Sequence, residues 1–456
     1  MATWALDGDS WRQIDVARVS RHDSQARGLP ARHIAAVAAG NALSFYDFLT
    51  YSFFAIQIGH AFFPSKDPTA SLLLSLATFG AGFLTRPLGG LIIGRMGDRV
   101  GRKPAMILSF TLMGIALVGI SLTPSYATIG IAAPICAVLF RMLQGFALGG
   151  EIGPTTVYLI EAAAPERRGF YNGLGAATQD GSVVAAGVVG VILSSVLSPT
   201  ALDAYGWRIA FLLGASIVPF GLLARRTLAE TLDVAEALES KAAAPLKPYL
   251  PVAIFGIVLL ASATISNYAL DYMTTYANHT LHMHATIAFG ATVVIGSFMV
   301  MADLASGWLS DRFGRKPVMV IPYAAMMVLA LPAYLAISHF RTAAALFAAS
   351  AALSVLQGLG GGPMTVWMTE SLPPSLRSGG IGVIYSVSIA VFGGSTQIAI
   401  AWLIAFTGNP LAPAWYMAAA LACGVLAMLM VRETAPARTG RLAAYAASAG
   451  DANPKA

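Results

Sequence analysis

Asp47, Arg86, Arg141, Glu151, Asp180, Asp271 and Asp303 each stand inside a long run of apolar residues. A charge near the centre of a bilayer is costly unless it faces a cavity or a partner, so these seven positions are where chemistry is to be sought. The two arginines suit bidentate capture of carboxylates, which favours an organic anion as ligand. A carboxyl group in an apolar, partly wet cavity holds its proton more tightly than in water, and a neighbouring Arg loosens it again. An anion competing for that Arg would then capture or release a proton.

These positions need a scaffold that tolerates them, and composition names it. Of 456 residues, 57% are hydrophobic and 11% charged, and mean hydropathy is +0.69. Soluble domains carry roughly 25% charged residues, so a soluble enzyme, a disulfide scaffold and a disordered chain are all excluded. Cys136 and Cys423 both lie in apolar stretches and form no framework. Apolar runs recur near 34–58, 71–95, 104–123, 128–160, 170–197, 208–228, 250–278, 286–310, 317–337, 343–370, 377–407 and 411–432. Each is long enough to cross a bilayer as a helix, giving twelve spans, numbered here in chain order. The fold class expected is an all-α membrane protein of two pseudo-symmetric six-helix bundles.

Residues 1–33 hold five Arg, four Asp and no apolar signal-peptide core, and read as a cytoplasmic tail. With both termini inside, all but five of the 28 Lys and Arg fall in cytoplasmic segments; the exceptions are Lys66, Arg208 and Arg341 outside and Arg86 and Arg141 within spans. The pI near 9.3 therefore reflects topology and not nucleic-acid affinity. Domain boundaries follow: bundles over 34–228 and 250–432, a solvated linker at 229–249, and a cytoplasmic tail at 433–456.

The halves repeat. GRMGDRVGRKP at Gly94–Pro104 recurs as GWLSDRFGRKP at Gly307–Pro317, and Gln144-Gly145 recurs as Gln357-Gly358, both at an offset of 213. PTTVYLIEAAAPERR at Pro154–Arg168 matches PMTVWMTESLPPSLR at Pro363–Arg377 at an offset of 209, which leaves four extra residues around Gly149–Gly153. Two such repeats with a ligand site between them near the midplane are the build of an alternating-access carrier. Arg86 has Met299 as its counterpart, so its role is not purely architectural; it is either a substrate or proton-site residue or the partner of Asp47 or of an acid in span 4 or 5. Arg141 and Gln144 share a helix face at i and i+3, with helix packing near the outer mouth as the alternative. Asp47 shares a stripe with Ser44 and Tyr51 and is the first choice for a proton site. Glu151, in the GGEIGP stretch whose glycines and proline can kink span 4, is the second. In span 7, Asn267 and Asp271 at i and i+4, with Tyr268, Tyr272, Thr275 and Tyr276, form a polar aromatic face suited to reading hydroxyls or carboxyls.

Taken together, GRMGDRVGRK, its second copy, RMLQG in span 4 and the YLIEAAAPERRG exit resemble the major facilitator superfamily over residues 34 to 432. GNALSFYDF in span 1, ATFGAGFLTRPLGG in span 2 and QGFALGGEIG in span 4 are similar to its metabolite:proton symporter family, nearest the citrate and tricarboxylate carriers. The resemblance implies proton-coupled uptake of a small organic anion in a bacterial inner membrane, driven by the proton gradient without a cofactor, by a monomer. The residues and the resemblance together give Arg86, Arg141, Gln144, Asn41, Tyr46, Asn267, Tyr268, Tyr272 and Tyr276 as expected substrate residues, and Asp47, Glu151, Asp180 and Asp271 as expected proton-coupling residues. Gating falls to Gly94, Asp98, Arg99, Arg102, Asp311, Arg312 and Arg315, whose ion pairs would latch one conformation. Asp180 and Asp271 stand where citrate-type members usually carry uncharged residues, and Ser44 where glutamate is common. Those acids would repel a fully ionised tricarboxylate and keep a zwitterion or monocarboxylate open as substrate, with a drug/proton antiporter as a further alternative. His279, His282 and His284 lack an HExxH-type partner and are read as interfacial, not metal ligands. No phosphate-cradling loop is present, which argues against ATP, and nucleic acid is not an expected partner.

Overall fold

The structure, a computed structural model, describes Phe45, Tyr46, 48–100, 102–161, 167–227, 247–372 and 374–439. Long helices dominate because a backbone in hydrocarbon must satisfy its own hydrogen bonds. Span 1 ends with the helix Ala55–Phe62, and spans 3, 4, 5 and 6 are Arg102–Leu122, Ala132–Glu161, Arg168–Val196 and Trp207–Thr227. Spans 8, 9, 10 and 12 are Ala285–Phe313, Arg315–Phe340, Ala343–Ser371 and Ala412–Met430. Span 7 is Leu250–Asp271 continued by Met273–Thr275 and a π turn at Tyr276–Thr280, and span 11 joins Pro374–Ser388 to Gly394–Thr407 through a π turn at Ile389–Gly393. Ends fall at polar cues: Asp67 accepts the Thr69 N–H at 2.9 Å ahead of span 2, and the Thr342 hydroxyl accepts the Ala345 N–H at 3.2 Å ahead of span 10.

One expected kink lies elsewhere. Span 4 runs as unbroken helix through Gly149–Pro154, whereas span 2 divides into Pro68–Leu84 and Arg86–Arg99. Pro87 lacks the N–H that would continue the upstream helix, and the interruption at Thr85 delivers Arg86 to the site. The Thr85 hydroxyl donates to the carbonyl oxygens of Met142 at 2.6 Å and Gly82 at 3.1 Å, stitching the break onto span 4.

Packing repeats as the sequence does. Span 3 packs on spans 4 and 6, as span 9 packs on spans 10 and 12. The two halves meet mainly along span 5 against span 8, and again along span 2 against span 11. The span 5 to span 8 seam runs the depth of the protein. At the face carrying the basic loops, Gly307 lies against the backbone of Gly169 and Phe170. Midway, Gly296 meets Val184 and Asp180, and Gly187 meets Thr292 and Val293. At the far face the Ser194 hydroxyl donates to Thr286 Oγ1 at 3.2 Å. Small residues let these helices approach closely where no hydrophobic driving force separates lipid from protein.

Candidate functional site

The centre of the first half is a cluster of tilted and edge-to-face rings enclosing two guanidinium groups. Phe48 from span 1 and Phe79 and Phe83 from span 2 pack with ring centroids 4.7 to 5.2 Å apart. The Cζ atoms of Arg86 and Arg141 each lie 4.3 Å from the centroid of the same Phe48 ring. Arg86 also lies 4.2 Å from Phe83, and Arg141 lies 4.5 Å from Tyr51 and 5.1 Å from Phe79. Ring faces attract cations once water is removed, and removal is nearly complete: Arg141 is 0% and Arg86 2% exposed.

Rings hold the charges in place but do not use up their N–H groups. Arg141 Nη1 donates to Gln144 Oε1 one turn on. Arg86 Nε, Nη1 and Nη2, Arg141 Nε and Nη2, and Gln144 Nε2 have no hydrogen-bond partner among the described residues. Two adjacent planar donors, desolvated and unsatisfied, are a receptor for carboxylate oxygens.

Facing them from the second half is Tyr268, whose ring centroid is 5.4 Å from Phe83 and 6.1 Å from Phe79. Tyr268 and Tyr385 lie within electrostatic reach of Arg86, and Tyr268 within reach of Asp271 as well. The π turn of span 11 ends here, with Gly393 against Phe83 and Tyr268 and Gly394 against the backbone of Gly80; π turns are frequent at functional sites. Ser52 and Gln397 join the halves through their side chains, Gln397 Nε2 donating to Ser52 Oγ at 2.7 Å. The carboxyl groups of Asp180, Asp271 and Asp303 follow in succession along span 5, span 7 and span 8. Asn267 Nδ2 donates to Asp271 Oδ2 at 3.4 Å.

Other expected residues are drawn elsewhere. The Tyr46 hydroxyl donates to the carbonyl oxygen of Ala210 in span 6 at 3.1 Å. Tyr272 and Tyr276 belong to the apolar core of the second half, where Tyr276 stacks edge-on against Tyr334 at 5.3 Å and donates to Pro410 O at 2.9 Å. Asn41 and Asp47 lie outside the described residues, as do the side chains of Asp98, Arg99, Arg102 and Glu151. The cage rings Phe48, Phe79 and Phe83 were not among the expected site residues. Their only signal is proximity in sequence to Asp47 and Arg86. Among the described residues no group of three His, Cys, Asp or Glu is placed to hold a metal.

At the basic face a second polar cluster bridges the halves. Asp311 accepts the N–H groups of Gly169 and Phe170 at 3.0 Å each, capping the N-terminus of span 5 from the opposite half. Arg315 holds that carboxylate at 2.6 Å, reaches Glu370 at 3.0 Å and donates to Ser310 at 3.0 Å. Asn172 donates to Gly362 O at 2.9 Å. Arg312 points outward over Trp308 and Phe313 and takes no part. Gly94 has open space where a side chain would stand.

Comparison with known proteins places this architecture. The Major Facilitator Superfamily profile matches residues 37–391. A citrate-proton symporter of Klebsiella pneumoniae is 35% identical over 396 residues, covering 86% of this chain and 89% of that one. A proline/betaine transporter of Escherichia coli (strain K12) is 32% identical over 419 residues, covering 88% and 83%. The crystal structure of a D-xylose-proton symporter superposes with a TM-score of 0.71 at 18% identity, covering 88% of this chain and 98% of that one, and shares the twelve-helix fold. The break in span 2, the paired bundles and these full-length matches lead to one conclusion: this multi-pass membrane protein belongs to the Major Facilitator Superfamily, a family of transporters and not of enzymes.

Proposed function

We propose that the protein is a secondary active transporter that takes up a small carboxylate, a di- or tricarboxylate such as citrate, together with protons across the bacterial inner membrane, with both termini in the cytoplasm. The observation that carries this reading is the unsatisfied guanidinium pair, Arg86 and Arg141, held over one ring between the halves. Removing such donors from water without a partner is unfavourable, and a bound carboxylate supplies the missing acceptors. The 35% identical citrate-proton symporter supports the same substrate class. A second reading, a zwitterion with its cationic end toward Asp271 and Asp180, is favoured by the acids beyond Tyr268 and by the proline/betaine relative.

Uptake of radiolabelled citrate into proteoliposomes tests the choice. The expected result is uptake stimulated by an inward proton gradient and suppressed by unlabelled 2-oxoglutarate. Absence of citrate uptake, with betaine or proline accumulated instead, would transfer the site to the second reading.

Asp311 and Arg315 act in this scheme as the latch of the cytoplasmic face. Asp311→Ala strands two N–H groups, which weakens closure by about 1–3 kcal/mol and raises the open population by roughly 5- to 150-fold. Gly362→Cys reports it, since a side chain there meets only ordinary contacts. With Cys136 and Cys423 changed to Ser, maleimide labelling of that cysteine should accelerate in the Asp311→Ala background; an unchanged rate would remove Asp311 from the latch.

A further inference from the structure

Asp180 and Asp303 face each other across the span 5 to span 8 seam with their carboxyl groups in hydrogen-bonding contact. Two carboxylates at that distance repel strongly, and only a proton between them turns the contact into an attraction. The backbones leave no room for retreat. A side chain at Gly173 would overlap the Asp303 carbonyl oxygen, and one at Gly296 would come within 3.0 Å of the Asp180 carbonyl oxygen.

Among the described residues the surroundings supply no countercharge. From span 7 the seam receives Asp271, another acid, and from span 9 the Tyr323 hydroxyl. Span 10 brings Gly358, where a side-chain carbon would come within 3.3 Å of Asp303 Oδ1, and beside it Gln357. Among the described residues neither Asp180 nor Asp303 has an ion-pair partner. The Tyr323 hydroxyl, 0% exposed, lies beside Gln357 and within electrostatic reach of Asp303, and among the described residues Asp303 Oδ2 lacks a hydrogen-bond partner. These groups, contributed by three spans, converge on the unsatisfied Asp303 oxygen, which calls for a proton or a proton-bearing water. Asp303 is 4% exposed whereas Asp180 keeps a partly accessible surface, so a proton enters through Asp180.

We propose that Asp180 and Asp303 form a carboxyl dyad that binds one proton between the two halves, and that loading of this dyad lets the span 5 to span 8 seam close. The idea rests on the proton-coupled reading above and names its proton site. Loading adds H+ from water to one carboxylate oxygen, forming one O–H bond and changing the pair's charge from −2 to −1. Release is the reverse, to whichever side the seam has opened. Closure thereby depends on proton concentration, which is the requirement of a symporter.

Infrared difference spectroscopy on the purified full-length protein tests the dyad without reference to any substrate. At pH 7 the wild type should show a protonated-carboxyl carbonyl band that shifts in D2O and fades as the pH is raised. The dyad's share of the band should survive in Asp271→Asn and be lost in the Asp180→Asn/Asp303→Asn double variant. Asp303→Asn alone, whose amide donates to Asp180 as the shared proton would, stands in if the double variant does not fold. In proteoliposomes with citrate as probe, this variant should retain counterflow and lose stimulation by the proton gradient. A band untouched by both substitutions, or full gradient stimulation in Asp303→Asn, would overturn the dyad. Loss of the band in the variants, with no citrate transport by any form, would uphold the dyad and count against the citrate reading alone.

Discussion

Arg141→Met is expected to lower citrate uptake by at least about 30-fold while raising the temperature at which the protein unfolds, because truncating one partner of a buried charged contact costs roughly 2–5 kcal/mol of ligand binding. The two effects have opposite signs for one reason. Arg141 is fully buried beside a second cation, with two of its nitrogens unsatisfied among the described residues. Three ring contacts offset part of that penalty. Methionine keeps the ring contacts and removes the desolvated charge, a change that often stabilises by about 1–4 kcal/mol in analogous buried sites. Arg86→Met should behave alike. Arg141→Lys should also lose uptake, since a point charge cannot present a planar pair of donors. Thermal scans with and without citrate complete the test: citrate should stabilise the wild type and leave Arg141→Met unchanged. Retained uptake in a destabilised Arg141→Met would show that the guanidinium serves packing and not the ligand.

The second large effect is steric. In spans 2 and 4 the backbones touch: a side-chain carbon on Gly145 would overlap the Gly82 carbonyl oxygen, one on Gly149 that of Arg86, and one on Gly89 that of Phe146. This contact sets Arg86 and Arg141 side by side over Phe48. Gly145→Val therefore has to push the helices apart, moving both guanidiniums off their ring and leaving voids along the contact. Uptake should fall by at least about 10-fold, and the unfolding midpoint should drop, as overpacking in cores costs roughly 1–3 kcal/mol or more. Gly181→Ala is the control, because nothing lies within 4 Å of the added carbon. Equal thermal stability for Gly145→Val and Gly181→Ala would mean that the close approach is not required.

Much of this scaffold is legible in the sequence. Span 10 is expected at 343–370 and observed at Ala343–Ser371, and span 6 at 208–228 and Trp207–Thr227, because apolar runs bounded by charge and proline leave little choice of ends in a bilayer. The arginine pair is legible too, since an intramembrane charge announces itself. Its cage is not: Phe48, Phe79 and Phe83 are apolar residues in apolar helices, and when lipid and core are equally apolar no periodicity separates the inward face from the outward one. The same blindness covers Tyr272 and Tyr276, whose pattern reads as a ligand face and whose rings turn into the second half's core. Asp303 is visible as a charge, but its meeting with Asp180, 123 residues away in the chain, follows from a seam set by glycines. The break at Thr85 fits Pro87, whereas the Gly-Pro stretch of span 4, the stronger kink signal in the sequence, stays helical.

The seam of spans 5 and 8, unbroken from Gly169 to Ser194, also constrains how the molecule can move as a machine. Surfaces in contact over the full thickness can neither slide past one another nor part without exposing backbone to lipid, so the halves have only a tilt available, with the seam as fulcrum. Lever arithmetic gives its size: over half of a roughly 30 Å bilayer, a tilt of about 20° swings a helix end by about 5 Å, close to one helical turn. A displacement of that order is enough to lift Asp311 clear of the span 5 amides and to open that end of the seam toward the Asp180–Asp303 contact.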